Sequence, residues 1–125
     1  MLSFAPPTPG PHHSDPARQT PTIAQIRRYI LARRKRDQLA SGLFADPAWD
    51  ILLDLFVSSL EGRDVTVSGA CIAAACPPTT GLRYLRLMTE AGLISRKDHV
   101  RDLRVKIIEL TEEGQSVVQT FLTHL

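Results

Sequence analysis

The sequence predicts a mainly α-helical domain with a small β-hairpin wing of two to three short antiparallel strands. Three observations predict it. Apolar residues recur at helical spacing over 22–39 and again over 46–60. A short helix, a tight turn at Pro77 and Pro78, and a longer helix then follow one another up to Gly92. Beyond Gly92, two short apolar stretches flank a polar and basic segment. At 125 residues the chain has room for one domain that buries a core without metal or disulfide staples.

Residues 1–21 hold six of the nine prolines, with Gly10, His12, His13, Ser14 and Asp15 among them. Such a composition buries no core, so 1–21 reads as a flexible Pro-rich arm and 22–125 as the folded domain. Two adjacent imidazoles are too few for a metal site. The segment 22–39 lacks Gly and Pro and spaces Ile23, Ile26 and Ile30 for one helical face. It also carries Arg27, Arg28, Arg33, Arg34, Lys35 and Arg36. The next helix begins with Asp46 as N-cap and Pro47 at the first position, buries Trp49, Leu52, Leu53, Phe56 and Leu60, and ends at Gly62. Asp46, Asp50 and Asp54 form an acidic edge suited to the basic edge of the first helix. Carboxylates so spaced also occur in acid–base catalysis, but no His or nucleophile accompanies these.

Val65, Thr66 and Val67 suit a short extended piece, with Ser68 capping a thin helix through Ala75. Pro77 and Pro78 stop that helix and open the next, which spans 79–91 with Thr79 or Thr80 at its exposed amides, Leu82, Leu85 and Met88 inward, and Gly92 as its left-handed end. Cys71 and Cys76, five apart on one helix, would point about 140° apart at 3.6 residues per turn and form no disulfide. Both read as small apolar core residues, with a redox-sensing thiol as the alternative. Leu93, Ile94 and Ser95 form one strand and 105–110 another. Thr111 caps a last helix with Glu112 and Glu113 in its first turn, Val117, Val118, Phe121 and Leu122 as apolar positions, and Gly114 weakening its start. The whole is a winged helix-turn-helix.

Net charge is only +2, so any basic footprint must be local. Thirteen of the fifteen Lys and Arg residues fall in the first helix and in Arg83, Arg86, Arg96, Lys97, Arg101, Arg104 and Lys106. A helix that enters the DNA major groove needs hydrogen-bonding side chains near its N-terminal end, and Thr79, Thr80, Arg83 and Arg86 supply them. Arg83 is the base reader, since its planar fork bonds a guanine edge twice, worth roughly 1–3 kcal/mol of discrimination. Arg86 and the two Thr hydroxyls position the helix on phosphates. Arg96, Lys97, Arg101, Arg104 and Lys106 lie on a projection able to reach the minor groove or the flanking backbone. Gly81 inside this helix implies close packing against the helix before it.

In these features the chain resembles the MarR family of bacterial winged-helix regulators. The resemblance lies in Gly92-Leu93-Ile94 after the recognition helix, Arg96, Asp102-Leu103-Arg104 in the wing, and Leu110-Thr111-Glu112-Glu113-Gly114 opening the last helix. It implies that Asp102 steadies Arg104 for the minor groove of double-stranded DNA, and that the protein is a homodimeric transcriptional regulator with terminal helices at its interface. The C-terminal helix is short for that role, so the first helix would carry more of it. A small-molecule effector is not implied, and neither is a cofactor. A winged-helix module that binds protein through Tyr84 and Leu87 is the alternative. Motifs of phosphate-binding loops, dinucleotide folds, zinc proteases and activated nucleophiles are missing, so an enzyme is not expected. No apolar run reaches the ~20 residues of a membrane span, and the start of the chain does not read as a secretory leader, so the expected location is cytoplasmic.

Overall fold

The computed structural model describes residues 21–39 and 46–124. Within them the chain forms α1 (Ile23–Leu39), α2 (Pro47–Leu60), β1 (Val65–Thr66), α3 (Val67–Ala73), α4 (Pro78–Glu90), β2 (Ile94–Asp98), β3 (Lys106–Leu110) and α5 (Glu112–Leu122). Apart from Pro21, the Pro-rich arm expected over 1–21 lies outside the described residues, as does Leu125.

Helix α2 starts as its sequence dictates: Asp46 Oδ1 accepts the Trp49 amide at 3.3 Å and Pro47 occupies the first position. Its expected apolar stripe was too narrow. Ile51, Leu52, Leu53, Leu55, Phe56, Val57 and Ser58 are all buried, Trp49 is only partly covered, and Leu60 is exposed. The reason is position, for α1, α3, α4, α5 and β3 all pack on α2, and a helix enclosed on most sides must be apolar on most sides. Gly62, at φ +70, ends it in a left-handed cap, with the Arg63 amide on Ser58 O at 2.8 Å and the Gly62 amide on Ser59 O at 3.2 Å.

Helix α1 lies on α2 through Ile26, which is fully buried, and through Ile23, Tyr29 and Ile30. The expected meeting of basic and acidic edges occurs. Arg33 Nε donates to Asp50 Oδ1 at 3.0 Å and its Nη2 lies 3.9 Å from Asp46 Oδ2, while Arg27 pairs with Glu61, which also holds Arg63 at 2.8 Å. Burial nevertheless outweighs these attractions at two carboxyls. Asp50 titrates above the ordinary carboxylate range despite Arg33, and Asp54 does so despite Arg63, Arg34 and Arg27, with Glu61 adding repulsion. A knot of aromatic rings ties α1, α2 and α5 together: Trp49 Nε1 donates to the Tyr29 hydroxyl at 3.1 Å, and Phe121 meets the Trp49 ring edge-on at 4.8 Å between centroids.

The central segment departs from its expected local detail. Thr66, not Ser68, caps α3, its Oγ1 accepting the Gly69 amide at 3.0 Å, because the short strand ends one residue earlier than its apolar alternation suggests. Helix α3 stops at Ala73 rather than Ala75, since Ala75 adopts a left-handed φ of 52°. Cys76 is therefore off the helix and turns back toward Cys71, its Sγ 4.0 Å from the Cys71 carbonyl oxygen, instead of diverging from it. Both thiols are free. Burial, together with Cys71, pushes the Cys76 thiol up, away from the lowered value of a reactive thiolate. Helix α4 begins at Pro78 with Pro77 as N-cap, so neither Thr79 nor Thr80 provides the cap. Its buried face is Gly81, Leu85 and Met88, whereas Leu82 is half exposed on the flank.

The three strands form one antiparallel sheet in the order β1-β3-β2, with Val65 opposite Ile108, Ile94 opposite Leu110 and Asp98 opposite Lys106. Ile94, Ile107 and Ile108 are buried. Gly92, at φ +78, closes α4 with the Leu93 amide on Met88 O at 3.0 Å and the Gly92 amide on Thr89 O at 3.0 Å. Val118 and Leu122 bury the inner face of α5, while Val117 and Phe121 are exposed at 47% and 44%.

Gly114 does more than weaken the start of α5. A Cβ there would overlap the Leu93 carbonyl oxygen and lie 3.0 Å from its carbon, so only glycine lets the helix close on the strand entry. Gly114→Ala should therefore cost more than about 2 kcal/mol, because backbone rather than a side-chain tip must move. Urea unfolding followed by circular dichroism measures it, and a midpoint equal to that of the parent protein would contradict the packing.

Asp54 yields a prediction of opposite sign. Its folded-state value is raised, so the folded protein binds the proton more tightly and stability falls as pH rises through the carboxylate range. Asp54→Asn should be more stable than the parent at pH 7. The gain should vanish below about pH 3.9, where the carboxyl is neutral in both states. Melting curves from pH 3 to 7 show whether the two proteins converge on acidification.

Candidate nucleic-acid interface

The arrangement is built on the α3–turn–α4 unit. Two features fix its angle. Ala75 takes the left-handed conformation that reverses the chain at a cost of about 1–2 kcal/mol for a residue with a Cβ. Gly81 then lets α4 approach α3 so closely that a Cβ on it would overlap Cys71 Sγ and sit 3.4 Å from Cys76 Sγ. The close packing expected of Gly81 is present, and the two thiols are its floor.

On the outer side of α4, Thr79, Arg83 and Arg86 are exposed and Thr80 is partly covered. The Arg83 guanidinium carbon lies 5.4 Å from the centre of the Tyr84 ring, a cation–π contact that restrains the fork without using its hydrogen-bond donors. Tyr84 itself packs against the core, which leaves Leu87, 46% exposed, as the open member of the apolar pair considered for protein binding. Arg86, Glu90 and Arg96 line one cleft of about 140 Å³ between α4 and β2, together with Val67, Leu82, Leu85 and Thr89. The base of the wing and the middle of α4 thus present their guanidinium-bearing residues side by side.

The wing tip is the loop 99–105 between β2 and β3. The His99 amide donates to Val105 O at 2.9 Å and the Val105 amide to Asp102 O at 3.0 Å. Asp102 Oδ1 accepts the Arg104 amide at 3.1 Å, so the carboxylate organises the turn. The same carboxylate takes Arg104 in a two-pronged pair, Nε to Oδ1 at 3.0 Å and Nη2 to Oδ2 at 3.1 Å. Arg104 holds the Asp102 carboxyl below its ordinary range, although the arginine side chain is 90% exposed.

The remaining wing cations divide into two sets. Lys97 is bridged to Glu109 at 3.1 Å across the strands, and Lys106 pairs with Asp98. Arg96 and Arg101 are exposed and make no ion pair among the described residues. Spacing alone gave Lys97 and Arg101 equal standing, and the strand register that pairs Lys97 opposite Ile107, beside Glu109, separates them. Two residues at the tip carry no role in the sequence reading. Val100 is 94% exposed and Leu103 68%, and the available signal was their apolar character inside an otherwise charged segment. Among the described residues no group of three His, Cys, Asp or Glu side chains could hold a metal ion, and no helix is long and apolar enough to cross a membrane.

No protein-family model and no curated protein matches the chain. Solved structures do. AF1382 from Archaeoglobus fulgidus superposes with a TM-score of 0.55 at 28% identity, over 69% of this chain and 88% of that one. S. aureus MepR in its DNA-binding conformation gives 0.57 at 23% identity, over 82% and 76% of the two chains. The heme sensor PefR from Streptococcus agalactiae, in complex with heme, gives 0.55 at 19% identity, over 79% and 65%. Five helices, a three-stranded antiparallel sheet of order β1-β3-β2 and these likenesses agree, and this chain has a winged helix-turn-helix fold like that of MepR.

Proposed function

We propose that the chain is a sequence-specific DNA-binding transcriptional regulator, a dimeric repressor that places α4 in the major groove and its wing in the minor groove. The observation that carries this reading is the exposed Arg104 fork, preoriented by Asp102 on a hairpin whose base adjoins α4 at Arg86 and Arg96. A side chain held in one geometry loses less entropy when it binds, and a planar fork suits the narrow, negative minor groove. Arg83 reads a base edge, Thr79, Thr80 and Arg86 set the helix on phosphates, and Arg96 and Arg101 contact the flanking backbone, whereas Lys97, expected there too, is held by Glu109. The likeness to MepR in a DNA-binding conformation supports the same reading. No residue is assigned a catalytic role. Protein binding through the recognition helix is the weaker reading, because Tyr84 is committed to the core.

Fluorescence anisotropy against labelled genomic fragments at two salt concentrations tests the reading. Affinity should fall steeply with salt, since each neutralised phosphate releases counterion. Arg83→Ala should cost roughly 1–3 kcal/mol on the selected duplex and relax preference at one base pair, while Arg104→Ala should weaken binding with the fold intact. Binding that ignores salt, or no binding to any duplex, would sink the proposal.

The dimer would use α5, where Val117 is exposed one turn before Phe121, whose half-exposed ring meets Tyr29 and Trp49, and a second copy would cover them. Val117→Asp places a charge in that patch without touching the buried face. Sedimentation equilibrium should then report the monomer mass, against a dimer for the parent protein; an unchanged dimer would move the interface elsewhere.

A further inference from the structure

We infer that the wing tip selects A·T base pairs through Val100 and Leu103, which lie against the minor-groove floor, Leu103 between the paired Asp102 and Arg104 and Val100 two residues before Asp102. This rests on the DNA-binding reading above and goes beyond it by assigning the wing a base preference and the residues that set it.

The tip is built to display these two side chains. Backbone bonds from His99 to Val105 and from Val105 to Asp102 hold the loop, and the Asp102 carboxylate fixes residue 104 twice over, through its amide and through its guanidinium. Leu103 sits between the two paired residues and stays 68% exposed, and Val100 is 94% exposed. The buried apolar residues of the hairpin, Ile94, Ile107 and Ile108, lie on its strands and not in the loop, so Val100 and Leu103 gain nothing from the core. Their surroundings are cationic: Arg101 and Arg104 flank them, with Arg96 farther down the hairpin. An apolar pair beside two exposed arginines, one of them oriented by a carboxylate, fits a partner with a smooth, uncharged floor between two anionic walls. The minor groove of A·T-rich duplex DNA is such a surface.

The preference follows from hydrogen-bond accounting. In the minor groove A·T and T·A present only acceptors, whereas G·C adds the guanine N2 amino donor. Val and Leu have no acceptor to offer that amino group. Pressing them onto a G·C pair strips the donor of water and leaves it unpaired, while pressing them onto A·T leaves acceptors within reach of Arg104. Runs of A·T also narrow the groove and deepen its negative potential, which favours the arginine fork at the same place.

The test changes only the minor-groove edge. The duplex recovered by the anisotropy screen is rebuilt with 2,6-diaminopurine for adenine in its flanks, which adds the amino group and leaves the major-groove edge intact, and any flanking guanine is replaced by inosine, which removes it. Binding should weaken roughly tenfold with diaminopurine and strengthen with inosine, and both effects should shrink in Val100→Ser/Leu103→Ser, whose hydroxyls accept hydrogen bonds. The double variant should fold as the parent does, since both side chains are exposed, and circular dichroism verifies that.

Tight binding with no response to either base overturns the inference while leaving the DNA reading standing. So does a recovered site whose flanks are G·C. Failure to bind any duplex overturns both. Vesicles of phosphatidylserine and phosphatidylcholine provide the contrasting arm, because a basic tip with apolar side chains also suits an anionic membrane. Vesicle binding lost in the double variant, with DNA binding unaltered, would overturn the assignment to the groove.

Discussion

The geometry of the whole molecule depends on the junction where α4 ends, the sheet begins and α5 starts. Thr111 stands at its centre. Its hydroxyl donates to Gly92 O at 2.6 Å and accepts the Gly114 amide at 3.1 Å, while its own amide donates to Leu93 O at 3.0 Å. One residue thus caps α5, ties off the left-handed end of α4 and closes the sheet entry. Each such bond contributes only about 1 kcal/mol net, but its loss would leave partly buried backbone groups unpaired. Because Gly114 packs on the same Leu93 carbonyl, the junction has little room to relax. The angle between α4 and the wing is therefore set by local backbone chemistry, not by the charged residues displayed on either.

The other half of the molecule is held differently. Helix α2 is the core, and α1 adheres to it by a few apolar contacts, an aromatic knot and a row of ion pairs. That row is weaker than its count suggests. Asp50 and Asp54 are raised by burial despite arginines nearby, so the acidic edge pays in desolvation for what it gains in attraction. Its value lies in register: Arg33 reaching Asp50 and Asp46 fixes how far α1 slides along α2, and so where Tyr29 meets Trp49 and Phe121. The face proposed for a second copy is placed by the same contacts.

Much of this was legible in residue order. Asp46-Pro47 marked the start of α2, Gly62 and Gly92 marked two helix ends, and the turn before α4 followed from Pro77 and Pro78. These signals are local and covalent, so they survive without knowledge of neighbours. Readings that depend on surroundings held only in part: the basic and acidic edges of α1 and α2 meet and Gly81 packs closely, but other details differ. The burial of α2 on most sides came from five packed elements, which no helical stripe announces. The return of Cys76 toward Cys71 hung on a left-handed alanine, a conformation that alanine gives no sign of adopting. At the interface, the residue types were readable and their pairing was not: Lys97 and Lys106 look like free cations until the β2–β3 register sets Glu109 and Asp98 beside them.

That pairing changes what the wing does in the proposed complex. Its two lysines are spoken for, and Arg104 shares its charge with Asp102, so the tip carries less net positive charge than its composition implies. A surface meant for indiscriminate phosphate binding would not neutralise itself in this way, since every internal pair reduces counterion release and with it affinity. The carboxylates instead convert charge into direction, holding forks and backbone in one arrangement before any partner arrives. Arg83 over the Tyr84 ring follows the same rule on α4. A chain with a net charge of only +2 has little non-specific attraction to spend, and oriented arginines are how it would discriminate among sites with what remains.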